Sequence, residues 1–196
     1  LLDVPLKTSM SSFAVKVRTT KTATACRYGR NETLVTSPMS LIDDHHFQTA
    51  PVTFIEGTHR YYFSCDFAEG ASTNYYDLII DTSAPVIHSI TDGDIEGSNT
   101  TLSAKWNVSD SLTNVVVYQF AVGTSPGYND TYSLTNSTTP YASLQGLHLQ
   151  NNSKYYWSVR ATNEVGLTST VSYSDGVVII VGYAGSSCIG IDCVSE

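Results

Sequence analysis

The sequence predicts an all-β protein, two tandem antiparallel β-sandwiches with no significant helix. Three observations carry this. The first is alternation: Phe13, Val15 and Val17 interleave with Ala14, Lys16 and Arg18, and Leu102, Ala104, Trp106 and Val108 interleave with Ser103, Lys105, Asn107 and Ser109. Side chains at i and i+2 share a strand face, so each stretch presents one apolar and one wet face. The second is punctuation: clusters of Gly, Pro, Asn, Asp and Ser separate these stretches, and none follows a helical period. The third is repetition. RYYFSCDFAEG at 60–70 reads like KYYWSVRATNEVG at 154–166, offset by 94, and SFAVKV at 12–17 reads like TLSAKW at 101–106, offset by 89. A period near 90 residues is one sandwich per copy.

The boundary is expected near DTSAP at 81–85, because Pro85 cannot donate to a ladder and a new strand, VIHSI, follows it. The predicted domains are therefore a sandwich at 1–84, a second at 85–183 and a tail at 184–196. No initiator Met or signal-peptide pattern opens LLDVPLKTSM, which reads as a mature fragment or a piece of something longer.

Composition narrows the function. Charged residues make up 14%, against about 25% in an ordinary domain, while Ser and Thr fill 49 of 196 positions, so the surface is wetted by hydroxyls rather than ions. The net charge is −8, divided as −2 over 1–84 and −6 over 85–196. Neither half offers a basic patch for a phosphate backbone, which argues against nucleic acid. The longest apolar run is the pentad Val177 to Val181, far short of the ~18 residues a membrane helix needs.

LQNNSKYYWSVRA at 149–161 resembles the fibronectin type III signature L-x-P-x-T-x-Y-x-V-x-V-x-A: Leu149, Tyr155, Val159 and Ala161 match, Ser153 replaces Thr, Trp157 replaces Val, and Asn151 stands at the Pro position. Trp106 resembles the core tryptophan of strand B, and YQFAVG at 118–123 resembles strand C. The resemblance implies that Tyr155, Trp157, Val159 and Ala161 face inward against Trp106, with the Tyr155 hydroxyl bonded to loop backbone upstream. ATACRYG at 23–29 and HRYYFSCDF at 59–67 resemble an immunoglobulin-like relative of microbial (bacterial or archaeal) extracellular surface proteins, with Glu69-Gly70 replacing its usual Gly-Asn turn.

That resemblance places Cys26 on strand C and Cys65 on strand F, neighbours in one sheet, and implies a disulfide between them; two buried free thiols are the alternative. Cys188 and Cys193 lie past the last predicted strand and are expected to close a local disulfide, a zinc half-site being the weaker alternative because no second Cys or His pair lies nearby. Two disulfides place a protein outside the cytosol. The motif N-x-S/T occurs at Asn31, Asn99, Asn107, Asn129, Asn136 and Asn151, where ten Asn in a chain this rich in Ser and Thr would give about 2.5 by chance. These are the candidate glycosylation sites, part of the excess following from composition alone.

Other clusters read as local structure. His45 and His46 of Asp43-Asp44-His45-His46 point to opposite faces of an extended segment and do not readily share a metal; His59, His88 and His148 read as structural. Asp92-Gly-Asp94-Ile-Glu96-Gly97 begins like a calcium loop, but its twelfth position is Ser103 and a strand follows, so a turn is expected, with weak calcium binding the alternative. No phosphate loop and no Ser/His/Asp grouping is recognised, so no catalytic, cofactor or metal residue is assigned. Tyr62, Tyr128, Tyr132 and Tyr156 are the candidate exposed aromatics, for stacking on a sugar or for cross-strand pairing.

The expected function is a non-enzymatic extracellular or cell-surface structural module: a stalk, surface-layer segment or filament subunit. Its expected partners are neighbouring domains or identical subunits. Leu2, Val4 and Leu6 alternate, and GVVIIVG at 176–182 is apolar on both faces; either could be a strand supplied to a neighbour's sheet. The alternative is a carbohydrate- or protein-binding module of a larger secreted protein, with a glycan or surface protein as its partner.

Overall fold

The structure is a computed structural model that describes residues 6–182. Among these residues every regular element is a strand. They fall into two compact units: one runs to Ala84 and includes Asp110–Asn114 and Glu164–Leu167, the other holds Pro85–Ser109, Val115–Asn163 and the chain from Thr168. Cys188, Cys193, Leu2 and Val4 lie outside the described residues.

The first unit contains β1 (Lys7–Thr8), β2 (Ser12–Phe13), β3 (Lys16–Arg18), β4 (Ala25–Gly29) and β5 (Ser37–Pro38). It continues with β6 (Ser40–Asp43), β7 (His46–Gln48), β8 (Val52–Thr53), β9 (Gly57–Phe67) and β10 (Gly70–Ile80). The largest sheet has the order β1-β10-β9-β4-β5; β3-β7-β6 form a second, and β2 pairs with β8. Pairing of β9 with β10 runs unbroken from Phe67 opposite Gly70 to Gly57 opposite Ile80. Period two then sends Tyr61, Phe63 and Cys65 inward, where they pack with Val15, Val17, Phe47, Phe54, Leu78 and Ile80. Each such side chain contributes about 1.5–3 kcal/mol by leaving water. Phe54 is the hinge of this core, stacked 4.9 Å from Phe13 and edge-on to Tyr61 at 5.7 Å. Cys26 and Cys65 are direct register partners in β4 and β9, joined by a disulfide.

The alternation over 12–17 does not make one strand. It breaks between β2 and β3, where the buried Thr49 hydroxyl accepts from the Val15 N–H and the Thr49 N–H donates to the Val15 carbonyl. Val15 stays in the core while its backbone bonds partly to a side chain instead of a continuous ladder.

The second unit contains β11 (Val86–Thr91), β12 (Ile95–Glu96), β13 (Leu102–Ser109), β14 (Val115–Gly123) and β15 (Tyr132–Ser137). It closes with β16 (Tyr141–Leu144), β17 (Lys154–Asn163), β18 (Ser172–Tyr173) and β19 (Val177–Ile179). One sheet is β11-β13-β16; the other is β12-β19-β17-β14-β15, with β18 also paired to β17. Trp106 comes from the first sheet and Trp157 from the second. Phe120 lies between them, its ring 5.7 Å from Trp106 and 5.6 Å from Trp157. The Tyr155 hydroxyl accepts from the Gln150 N–H at 2.9 Å, tying the preceding loop to the core.

Of the flanking apolar segments, Val177–Ile179 is a strand of its own unit, and Leu6 is the one apolar residue of the N-terminal segment that lies among the described residues. Val177 and Val178 pair with Tyr155 and Lys154 of β17, Val178 also pairs with Ile95, and Val177 and Ile179 are fully buried. The Leu6 carbonyl accepts from the Ile79 N–H, and β1 adds in parallel to β10. A strand already holding a buried row has a strong competing site within its own chain.

Candidate functional site

The outer face of the β14–β17 sheet carries a hollow. Inward positions of β14 and β17 take the large residues, and outward positions include Ala121 and Ser158, directly opposite one another. Two small side chains at adjacent outward positions leave a cavity of about 300 Å³, bordered by Gln119, Arg160, Leu134, Val171, Tyr173 and Asn129. Leu134, Val171 and Tyr173 are 51, 43 and 50% exposed, so this rim concentrates apolar surface on an otherwise hydroxyl-rich protein. At the polar end, Arg160 Nε donates to Gln119 Oε1 at 2.6 Å and Gln119 Nε2 donates to Asn136 Oδ1 at 2.8 Å.

The loop between β14 and β15 forms one wall, and its position is over-determined. The Gly127 N–H donates to the Ser158 hydroxyl at 3.2 Å, and Thr124 donates to Asp130 through its N–H at 2.9 Å and its hydroxyl at 2.6 Å. Those bonds, the hydroxyl's first, hold the Asp130 carboxyl below the usual carboxylate range. The turn starts at Gly123, where a Cβ would lie 2.4 Å from the Tyr128 carbonyl oxygen, so no larger residue fits without moving backbone.

On the first unit, the outward face of β9 and β10 carries an aromatic and charged row. Tyr62 lies opposite Tyr75 with rings 5.9 Å apart, and the Arg60 guanidinium sits 4.4 Å over the Tyr75 ring. Arg60 also forks onto Asp77 with two bonds of 2.7 Å, which hold the Asp77 carboxyl low. These groups satisfy one another, so the row is a cross-strand ladder.

The predicted tyrosines divide. Tyr128 is 60% exposed at the end of the loop wall. Tyr62, Tyr132 and Tyr156 are only half-exposed: Tyr132 stacks on Phe120 at 6.0 Å, and the Lys154 ammonium lies 5.5 Å over Tyr156. Sequence reasoning missed Tyr75, Tyr141 and Tyr173, each at least half exposed.

All six sequon asparagines are exposed. Asn31 lies between β4 and β5, its Oδ1 accepting from Thr33; Asn99 precedes β13, and Asn107 is outward on that strand. Asn129 borders the hollow, Asn136 is outward on β15, and Asn151, before β17, accepts from the Val181 N–H.

In the Asp43–His46 turn, Asp43 accepts from the His45 N–H and lies 2.7 Å from His46 Nδ1; the His45 N–H above all keeps the Asp43 carboxyl low. His59 bridges Arg30 and the Ile55 carbonyl, and His88 bonds Ser109. The carboxylates at 92, 94 and 96 do not converge: Asp94 is exposed and Glu96 caps the Ser98 N–H. Both carboxylate oxygens of Asp92 are buried without a hydrogen-bond partner among the described residues. Burial pushes the Asp92 carboxyl above the usual range and Asp175 adds to this, while nearby Ser174 and Lys154 pull against them. Among the described residues no three His, Cys, Asp or Glu side chains group as metal ligands.

No protein-family model matches the chain, and no curated protein sequence matches it. Solved structures share its architecture, two among them closely enough in TM-score to compare. Domains A168–A170 of titin align with a TM-score of 0.58 at 10% identity over 88% of this chain, which spans 60% of the titin fragment. The fibronectin(III)-like modules of Clostridium thermocellum CbhA align with a TM-score of 0.50 at 11% identity, covering 95% of this chain and 96% of theirs. The fold is immunoglobulin/fibronectin III-like. Among the described residues no helix is long and apolar enough to cross a membrane.

Proposed function

We propose that the chain is a non-enzymatic, extracellular structural segment of a microbial surface protein, two sandwich modules at 1–84 and 85–183 in a stalk, surface layer or filament. One observation carries the reading: a disulfide buried in the first core, its sulfur-bearing residues 2 and 5% exposed. Such a bond persists in an oxidising compartment, where a glycoprotein surface is also made. Non-reducing peptide mapping of the native secreted protein tests it. Linkage of Cys26 to Cys65 and of Cys188 to Cys193 is the expected result, and free thiols at 26 and 65 would remove the extracellular assignment.

Assembly with identical subunits has a geometric basis in β10. Among the described residues, β1 covers this strand only at Ile79 and Ile80. Gly70 to Tyr76 therefore form an open edge with no charge and no proline, the devices that normally block edge pairing. Sedimentation of wild type against Asn74→Lys tests this: concentration-dependent association lost in the variant supports it, and a strict monomer for both rejects it.

A binding module for carbohydrate or protein is the second reading, favoured by the exposed Tyr173 at the hollow. A glycan array probed with unglycosylated protein separates the two, since a stalk gives no signal above background.

A further inference from the structure

We propose that the hollow over Ala121 and Ser158 seats the first sugar ring of an N-linked glycan carried by Asn129 of the same chain. This rests on the extracellular glycoprotein reading above and goes further by assigning the sugar a docking place.

The tether is already at the site. Asn129 opens Asn-Asp-Thr and borders the hollow itself. The hollow also matches the two-sided chemistry of a pyranose, which has an apolar C–H face and a hydroxyl edge. Leu134, Val171 and Tyr173 supply an exposed apolar wall, and Tyr173 an aromatic face. Arg160, Gln119 and Ser158 stand at the polar side. The guanidinium uses Nε on Gln119, and among the described residues its Nη donors are left for a sugar oxygen. A neutral occupant suits the setting, because Arg160 is one of only three Lys and Arg residues in the half of the chain after Ala84, against nine Asp and Glu. The loop carrying Asn129 is pinned through Gly127 to Ser158 and through Asp130 to Thr124, so seating a sugar orders little that is not already ordered. Asn136 is a competing sequon; its Oδ1 is engaged by Gln119 at the polar end.

The test uses the full chain secreted from a host that performs N-glycosylation. Glycopeptide mass spectrometry reads occupancy at each sequon, and tryptophan fluorescence reads the melting of the second unit. Asn129 is expected to be occupied. Asn129→Gln and Thr131→Ala, which remove the sequon in different ways, are each expected to lower the melting midpoint by about 4 °C. Asn107→Gln, which removes an exposed sequon on the other sheet of the unit, leaves it within about 1 °C. In a Tyr173→Ser background the loss from Asn129→Gln should disappear.

Occupancy at Asn129 without a shift, or a shift that survives in Tyr173→Ser, overturns the docking. Glycans at other sequons with Asn129 bare overturn it while leaving the glycoprotein reading standing; no glycan at any sequon removes both. Aglycosylated protein that binds free oligosaccharide through Tyr173 would assign the hollow to an external sugar, and so also counts against the tethered one.

Discussion

Removing the disulfide in the Cys26→Ala/Cys65→Ala variant isolates one contribution to the first unit. The cysteines are 39 residues apart. Closing a loop of that length removes unfolded-chain entropy worth about 4 kcal/mol at 25 °C in the chain-entropy model. Against a domain stability of about 5–15 kcal/mol, this is a large fraction. With a urea slope of about 2 kcal/mol per molar, the midpoint should fall by about 2 M. The two units can be followed separately because both tryptophans of the chain, Trp106 and Trp157, belong to the second core, whereas the first core contains Tyr61, Phe63, Phe54 and Phe47. Far-UV circular dichroism should therefore show an early transition in the variant that tryptophan fluorescence does not see. A shift of the early transition below about 0.5 M would refute the loop-entropy reasoning. An equal shift in tryptophan fluorescence would refute separate unfolding of the two cores.

Phe120→Ala deletes the ring between Trp106 and Trp157 and should cost the second unit about 3–5 kcal/mol in urea titration by fluorescence; a cost below 1 kcal/mol would show that the core recloses around the gap. Asp92 has a folded-state pKa raised by burial, so its contribution favours folding in acid and is lost as pH rises through that raised value. Asp92→Asn should consequently stabilise the second unit at pH 7, with the gain vanishing near pH 3, as seen in denaturation at both pH values. Gly123→Ala forces a methyl against the Tyr128 carbonyl and should cost about 1–3 kcal/mol, together with loss of amide-exchange protection at Gly127.

Period two made the long strands legible. In β13 the burial of Leu102, Ala104 and Trp106 against the exposure of Ser103, Lys105 and Asn107 is written directly in the residue order. The paired tyrosines of β9 and β17 obey the same rule, Tyr61 and Tyr155 inward, Tyr62 and Tyr156 outward. Two-residue strands such as β1 and β12 have no period to read, and their parallel pairing with β10 and β19 depends on where distant strands end. The hollow left no signature either. Ala121 and Ser158 are unremarkable until antiparallel register places them side by side, and Tyr173 becomes a wall only because the short β18 pairs with Ser158.

Residue order alone settled the all-β class and the faces of β9, β13 and β17, because alternation and turn chemistry act between near neighbours. Folding in three dimensions decided where Val177 and Val178 pair, which tyrosines meet solvent and where a cavity opens. Those outcomes depend on register and on competition between remote partners, and no local pattern encodes them.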